Sequence, residues 1–94
     1  MPYALPLVQA LKQAGWKVKI HDSERLEPPH VTIYRKFDDR WRLSLRDGGF
    51  LEKGREWSQI DGRVRQAIED NWDLLIAQWD AIHPDNPVRG DDDE

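Results

Sequence analysis

Apolar and polar residues alternate through the first half of the chain, and this period of two constrains the fold more than any other feature. Trp16, Val18 and Ile20 alternate with lysines, which predicts a half-buried strand. Two similar stretches follow at about residues 30–36 and 40–46, with turn-forming residues before each. Because all three stretches have one apolar and one polar face, we expect an antiparallel meander that is covered on one side.

Two shorter patterns adjoin these strands. Residues 5–14 repeat apolar side chains at helical spacing, which predicts a short N-terminal helix. The Asp-Gly-Gly sequence at residues 47–49 indicates a hairpin turn that would lead to a short fourth strand at residues 50–53. The expected sheet therefore has three or four strands.

A long apolar stripe dominates the second half of the chain. From about Ser58 to Ile82, apolar residues recur every three or four positions, which predicts one amphipathic helix ending before Pro84. The expected fold is therefore α+β (α-β-β-β-α), with this helix packed on one face of the sheet. The helix would be about 37 Å long against strands of about 23 Å, so its last turns would need cover from the N-terminal helix, a second copy or a partner. The apolar residues that need this cover, and that would bind a partner, are Trp72, Leu75, Ile76 and Trp79.

Length and composition fit one folded domain followed by a tail. The 94 residues include five Trp and no Cys, so large apolar side chains are available while disulfide bonds and thiolate metal sites are excluded. We expect a single α+β domain over residues 1–84 and a disordered acidic tail over residues 85–94. No segment resembles a membrane span or a secretion signal, so the expected location is the cytoplasm and no membrane partner is predicted.

Charge is distributed unevenly along the chain. Residues 1–55 hold 11 Lys and Arg against 7 Asp and Glu, whereas residues 56–94 hold 3 against 11. The alternation places many of the basic residues on one sheet face, where Lys and Arg would neutralise RNA phosphates and a Tyr would stack on a base. A charged outer face also serves solubility, and this plainer interpretation stays open. The candidate RNA-binding residues are Lys17, Lys19, Tyr34, Lys36, Arg40, Arg42 and Arg46.

His30 is the candidate catalytic residue. It begins the second predicted strand directly after Pro28 and Pro29, beside basic side chains, where an imidazole can transfer protons during RNA cleavage. No second acid or base is evident, so a structural histidine is the alternative. His21 and His83 share no metal-ligand spacing with it, and we predict neither a metal nor another cofactor.

Four stretches of the sequence form a recognisable pattern: WKVKI at residues 16–20, EPPHV at residues 27–31, WRLSL at residues 41–45, and NWDLL at residues 71–75 with Trp79. This pattern resembles a bacterial family of domains of unknown function whose members carry a PPH-x-H motif. The resemblance covers about residues 15–83, and Thr32 stands where the motif has its second histidine. Family members are often predicted to belong to toxin–antitoxin-like gene pairs, so the resemblance implies such a role.

A second resemblance is to the HicA-type mRNA-interferase toxins. LVQALKQAGW at residues 7–16 is similar to their first helix and turn, and His30 is similar in position to their catalytic histidine. Pro28 and Pro29 replace the Gly-Ser or Gly-Thr that precedes that histidine, and the final predicted helix is longer. This resemblance implies a small RNA-binding fold and RNA cleavage through His30.

These observations lead to one expected function and two alternatives. The expected function is the toxin of a type II toxin–antitoxin pair, which binds RNA on the basic sheet face and acts as an endoribonuclease if His30 is catalytic. The first alternative is a non-catalytic antitoxin or accessory subunit that binds an antitoxin-like protein, or a second copy of itself, through the C-terminal helix. The second is a structural domain whose basic face meets an acidic partner.

Overall fold

Four antiparallel strands form the sheet, and strands that adjoin in the sheet are consecutive along the chain. The computed structural model describes residues 2–22, 27–36 and 39–88. Sequence alternation thus leads to the expected α+β fold. Part of the predicted first loop and of the turn before the third predicted strand lie outside the described residues. The strands are β1 Tyr3–Ala4, β2 Trp16–Ile20, β3 His30–Arg35 and β4 Asp39–Ser44.

The apolar face of the sheet is the one that the alternation predicts. Val18 lies opposite Ile33, and Ile33 lies opposite Trp41, so the three side chains share one face across β2, β3 and β4. All three are buried, and the rings of Trp16 and Trp41 stack with their centroids 5.8 Å apart. Burying these large apolar side chains together supplies much of the free energy that holds the sheet against the helices.

The fourth strand lies at the N-terminus, where the sequence predicts none. β1 pairs with β2, and Tyr3 lies opposite Ile20. At residues 50–53, where the sequence predicts a fourth strand, Phe50 makes an isolated bridge to Leu43 and no strand continues from it. A strand of two residues is too short to show an alternating pattern, which explains why the sequence did not indicate it.

The N-terminal helix is shorter than the predicted residues 5–14. α1 spans Gln9–Gln13. The backbone N–H of Leu5 instead donates to the carbonyl of Val18 at 2.9 Å, which continues the pairing with β2. Leu5 and Leu7 are both buried before the helix begins. Part of the apolar pattern therefore belongs to an extended segment.

The predicted long C-terminal helix is divided in two, so the prediction of one continuous helix is wrong. A turn of 3-10 helix at Trp57–Gln59 precedes α2, Gly62–Asp70, and α3 spans Trp72–Ile82. Asn71 leaves the helical conformation with φ −117° and ψ 22°, and its side-chain amide donates to the carbonyl of Ala67 at 2.8 Å. Asn favours such local bonds to the backbone over continued helix, and the apolar stripe resumes in a new helix beyond it.

The last turns of α3 do not extend uncovered beyond the sheet as expected. The helix is divided in two, and the chain after α3 packs against it. Leu75 and Trp79 are fully buried. The indole N–H of Trp79 donates to the carbonyl of Asn86 at 2.7 Å, and Val88 is also buried. The start of the predicted acidic tail therefore supplies cover that the sequence assigned to another helix or a partner; residues 89–94 lie outside the described residues.

Asp61 caps α2, and its carboxylate makes the start of this helix sensitive to acid. It accepts a bond from the guanidinium of Arg63 at 2.9 Å and another from the backbone N–H of the same residue at 2.8 Å. The guanidinium bond, followed by the backbone bond, lowers the pKa of Asp61 from 3.8 to about 2. Because the folded-state pKa is lowered, the stabilisation is complete above the ordinary pKa and is lost as pH falls towards 2.

We expect the melting temperature of the wild type to fall between about pH 4 and pH 2 more steeply than that of Asp61→Asn. Asn keeps a capping oxygen but does not titrate, so it removes only the acid-dependent contribution. Thermal unfolding followed by circular dichroism at 222 nm gives the melting temperature of both proteins across this pH range. The other carboxylates lower the melting temperature of both proteins equally, so the difference between the two curves reports on Asp61. Parallel curves for the two proteins would show that the Asp61 cap does not contribute to acid sensitivity.

Candidate nucleic-acid interface

The outer face of the sheet carries two cations and a tyrosine in one row across three strands. Lys17 of β2 lies opposite Tyr34 of β3, and Tyr34 lies opposite Arg40 of β4. Lys17 and Arg40 are exposed and Tyr34 is half-buried. Because neighbouring strands lie about 4.8 Å apart, the row, called here the Tyr34 row, spans roughly 10 Å. Three of the predicted RNA-binding residues are thus adjacent.

A contact with His21 fixes the ring of Tyr34. The imidazole Nε2 of His21 lies 2.7 Å from the phenol oxygen, and the two rings meet edge to face with centroids 5.9 Å apart. The backbone carbonyl of His21 in turn accepts a bond from Nε2 of His83 at 2.7 Å. The sequence pattern places His21 on the same face as Tyr34 but did not indicate that the two side chains contact each other. A ring held in this way loses little freedom when a base stacks on it.

Lys19 and Lys36 add two further cations near the Tyr34 row. Lys19 is half-buried and lies two residues along β2 from Lys17, and Lys36 is exposed just beyond the end of β3. Within residues 2–22, 27–36 and 39–88, no carboxylate forms an ion pair with Lys17, Lys19, Lys36 or Arg40. These four cations are therefore available to phosphates.

The position of Lys36 depends on its contact with Gly15. Its backbone N–H donates to the carbonyl of Gly15 at 2.9 Å, and its own φ is 59°. Gly15 has φ 94°, and a Cβ there would lie 2.8 Å from Cγ of Lys36. Only glycine adopts that conformation without strain and leaves room for the lysine. The turn between α1 and β2 therefore holds Lys36 beside the end of the sheet.

Arg42 and Arg46 were predicted to bind RNA but are bound within the chain. The guanidinium of Arg42 donates to Glu52 and, at 2.8 Å, to Glu27. The hydrogen bond with Glu52 is the main cause that raises the pKa of Arg42 above its usual value. Arg46 donates to the carbonyl of Val88 at 2.8 Å. The alternation of the strand residues indicated no carboxylate on this face. It missed the two glutamates because both belong to segments outside the strands.

The end of the face that contains His30 is covered. His30, Thr32 and Ser44 are buried, although the alternation predicts that they are exposed. The imidazole Nδ1 of His30 donates to the carbonyl of Pro28 at 2.8 Å, and its ring centroid lies 5.6 Å from that of Trp79. Its side chain is 0% exposed. An imidazole without solvent access does not reach a phosphodiester, so this geometry gives a catalytic role no support.

The four predicted partner-binding residues differ in exposure. Leu75 and Trp79 belong to the core, whereas Trp72 and Ile76 are half-buried and pack against it. Leu74 is 40% exposed on the same helix. A partner that docks on α3 would contact either the half-buried pair or Leu74, since residues two apart on a helix face different ways, and this alternative stays a prediction.

The described residues form no metal site beside this surface. In the part of the chain that the structure describes, no cluster of three His, Cys, Asp or Glu side chains is arranged to hold a metal ion. No helix of these residues combines the length and apolar character needed to cross a bilayer. In comparisons with known proteins, no family model, curated protein or solved structure matches the chain.

Proposed function

We propose that the protein binds single-stranded RNA across the Tyr34 row, as the RNA-directed toxin of a type II toxin–antitoxin pair. The observation that carries the proposal is the register of Lys17, Tyr34 and Arg40, which sets an aromatic ring between two cations. Single-stranded bases are free to stack on such a ring, and the flanking cations neutralise the phosphates on either side. The toxin role is implied by two resemblances of the sequence, one to a domain family often predicted in toxin–antitoxin-like gene pairs and a weaker one to the HicA-type toxins.

The position of the acidic residues supports this proposal. α2 and α3 pack into the same hydrophobic core as the apolar face of the sheet. Glu69, Asp70 and Asp73 are exposed on these helices. Within the described residues, none of these carboxylates forms an ion pair with a cation of the sheet face, so they do not neutralise the groups that would meet the phosphates. The local charge of the sheet face, rather than the sum over the chain, governs the attraction.

The proposal assigns binding, and not cleavage, to this surface. His30 lies in the covered end of the face, bonded to Pro28, and Arg42 is neutralised by Glu27 and Glu52. The residues that the cleavage hypothesis requires are thus already engaged with other parts of the protein. A toxin that acts by this surface would sequester RNA and leave it intact.

Replacing Tyr34 by Leu is expected to weaken binding of an eight-nucleotide single-stranded RNA by roughly 5- to 150-fold, since stacking on one aromatic ring contributes about 1–3 kcal/mol. Tyr34→Phe is the matched control, because it keeps the stacking ring and its edge-to-face contact with His21 and loses only the hydrogen bond to that residue. Fluorescence anisotropy of labelled RNA measures both affinities. Equal affinities for Leu and Phe at this position would contradict stacking on Tyr34.

Induced expression in a bacterial host tests the toxin role separately. We expect the wild type to stop growth while total mRNA stays intact, and we expect Tyr34→Leu to restore growth at the same protein level. Growth arrest with rapid mRNA loss would instead favour cleavage. If the wild type is harmless, the toxin role is rejected. RNA binding in vitro is decided separately, by the fluorescence anisotropy measurement.

A further inference from the structure

The edge of β2 next to the N-terminal segment is only partly paired. The bond from the N–H of Leu5 to the carbonyl of Val18 continues the β1–β2 pairing by one step. Pro6 follows, has no N–H to donate, and the chain turns away towards α1. A pocket of about 280 Å³ lies where the two segments separate. Its existence depends on where β1 leaves the sheet, which explains why sequence periodicity did not indicate it.

The walls of this pocket are mainly apolar. Leu5 and Leu7 line one side, and Trp16 and Val18 of β2 line another. All four side chains also belong to the hydrophobic core, so the walls are held in place by packing. The four side chains are each at most 8% exposed, so the cleft offers packed apolar walls and little polar surface. An alkyl chain that enters it loses its own contact with water, which favours a ligand with an apolar part.

Three lysines complete the lining. Lys12 comes from the last turn of α1, and Lys17 and Lys19 come from β2. Lys12 and Lys17 are exposed and Lys19 is half-buried, so their long side chains can cover apolar surface while the ammonium groups stay in water. No acidic residue is among the described residues that line the pocket. The charge complementary to this rim is therefore negative.

We propose that the pocket binds a medium-chain aliphatic carboxylate, with its chain between the apolar walls and its carboxylate among the three lysines. A neutral apolar ligand would leave the lysine rim unused. A second copy of the chain would bring its own Lys12, Lys17 and Lys19 against the same lysines, which repel. An anionic head joined to an apolar chain satisfies both parts of the lining.

Isothermal titration with hexanoate, heptanoate and octanoate tests the apolar part. We expect the affinity to rise roughly fourfold with each added methylene until the pocket is full, because each buried methylene contributes a constant increment. Methyl chemical shifts of Leu5, Leu7 and Val18 should move together during the titration. An affinity that does not change with chain length, or shifts that occur only elsewhere, would overturn the proposal.

Three comparisons test the charged part. Octanoate should bind at least roughly tenfold more tightly than 1-octanol, and octyltrimethylammonium should bind more weakly still, since the rim is cationic. Lys12→Gln should weaken octanoate binding and leave octanol binding unchanged, while Lys53→Gln, an exposed lysine outside the pocket, should match the wild type. Octanol binding as tight as octanoate, or equal effects of the two substitutions, would refute a carboxylate site. Lys12 is not part of the Tyr34 row, so this result is independent of RNA binding.

Discussion

Trp79→Ala should lower the free energy of unfolding by about 3–5 kcal/mol, the range typical of deleting a large buried aromatic side chain. Trp79 is 0% exposed, and its ring packs against the imidazoles of His83 and His30, with centroids 4.0 and 5.6 Å away. Its indole N–H also donates to the carbonyl of Asn86. The substitution therefore opens a cavity and removes this hydrogen bond at the junction of α3, β3 and the C-terminal segment.

Trp72→Ala is the matched control for this prediction. Trp72 lies on the same helix but is only half-buried, so its replacement should cost less than half as much. Urea denaturation followed by circular dichroism measures both changes. A small loss for Trp79→Ala, equal to that of Trp72→Ala, would show that Trp79 is not a core residue and would revive its predicted role in binding a partner.

Reversing both charges of the Tyr34 row should weaken single-stranded RNA binding by at least roughly 50-fold in 50 mM salt. Lys17→Glu/Arg40→Glu removes two phosphate contacts, each contributing about eightfold at this salt concentration, and adds repulsion. Both side chains are exposed, and neither forms an ion pair within the described residues. The folded state should therefore persist, so a lost affinity reports on binding.

A charge-matched variant separates local from overall electrostatics. Arg63→Glu/Arg65→Glu changes the net charge by the same amount but acts on α2, outside the strands that carry the Tyr34 row. We expect its RNA affinity to stay within about threefold of the wild type, since a side chain that contacts no phosphate releases no counterion on binding. An equal loss of affinity in both variants would show that net charge, and not the sheet face, determines binding.

The sequence was informative where side-chain period decides structure. The alternation from Trp16 onwards predicted the sheet and its buried face, and the same alternation brought Lys17, Tyr34 and Arg40 onto the other face. It could not indicate β1, because two residues carry no period. The helix break at Asn71 was also hidden, since the apolar stripe continues across it at nearly helical spacing.

The rest of the candidate site depends on segments without regular structure. Glu27 and Glu52 reach Arg42 from positions outside the strands, and no periodic rule places them there. The cover over His30 comes partly from Trp79 of α3, whose position depends on the break at Asn71. Sequence periodicity therefore identified the cations of the face but not which of them the protein itself neutralises.

The salt dependence of RNA binding tests the central claim most directly. With Lys17, Lys19, Lys36 and Arg40 contacting phosphates, the logarithm of the association constant for an eight-nucleotide RNA should fall with the logarithm of salt concentration with a slope of about −2.8. Lys17→Glu/Arg40→Glu should reduce the magnitude of that slope by about half. Measurable binding with a slope near zero, or no binding to single-stranded RNA even in low salt, would contradict RNA recognition by this sheet face.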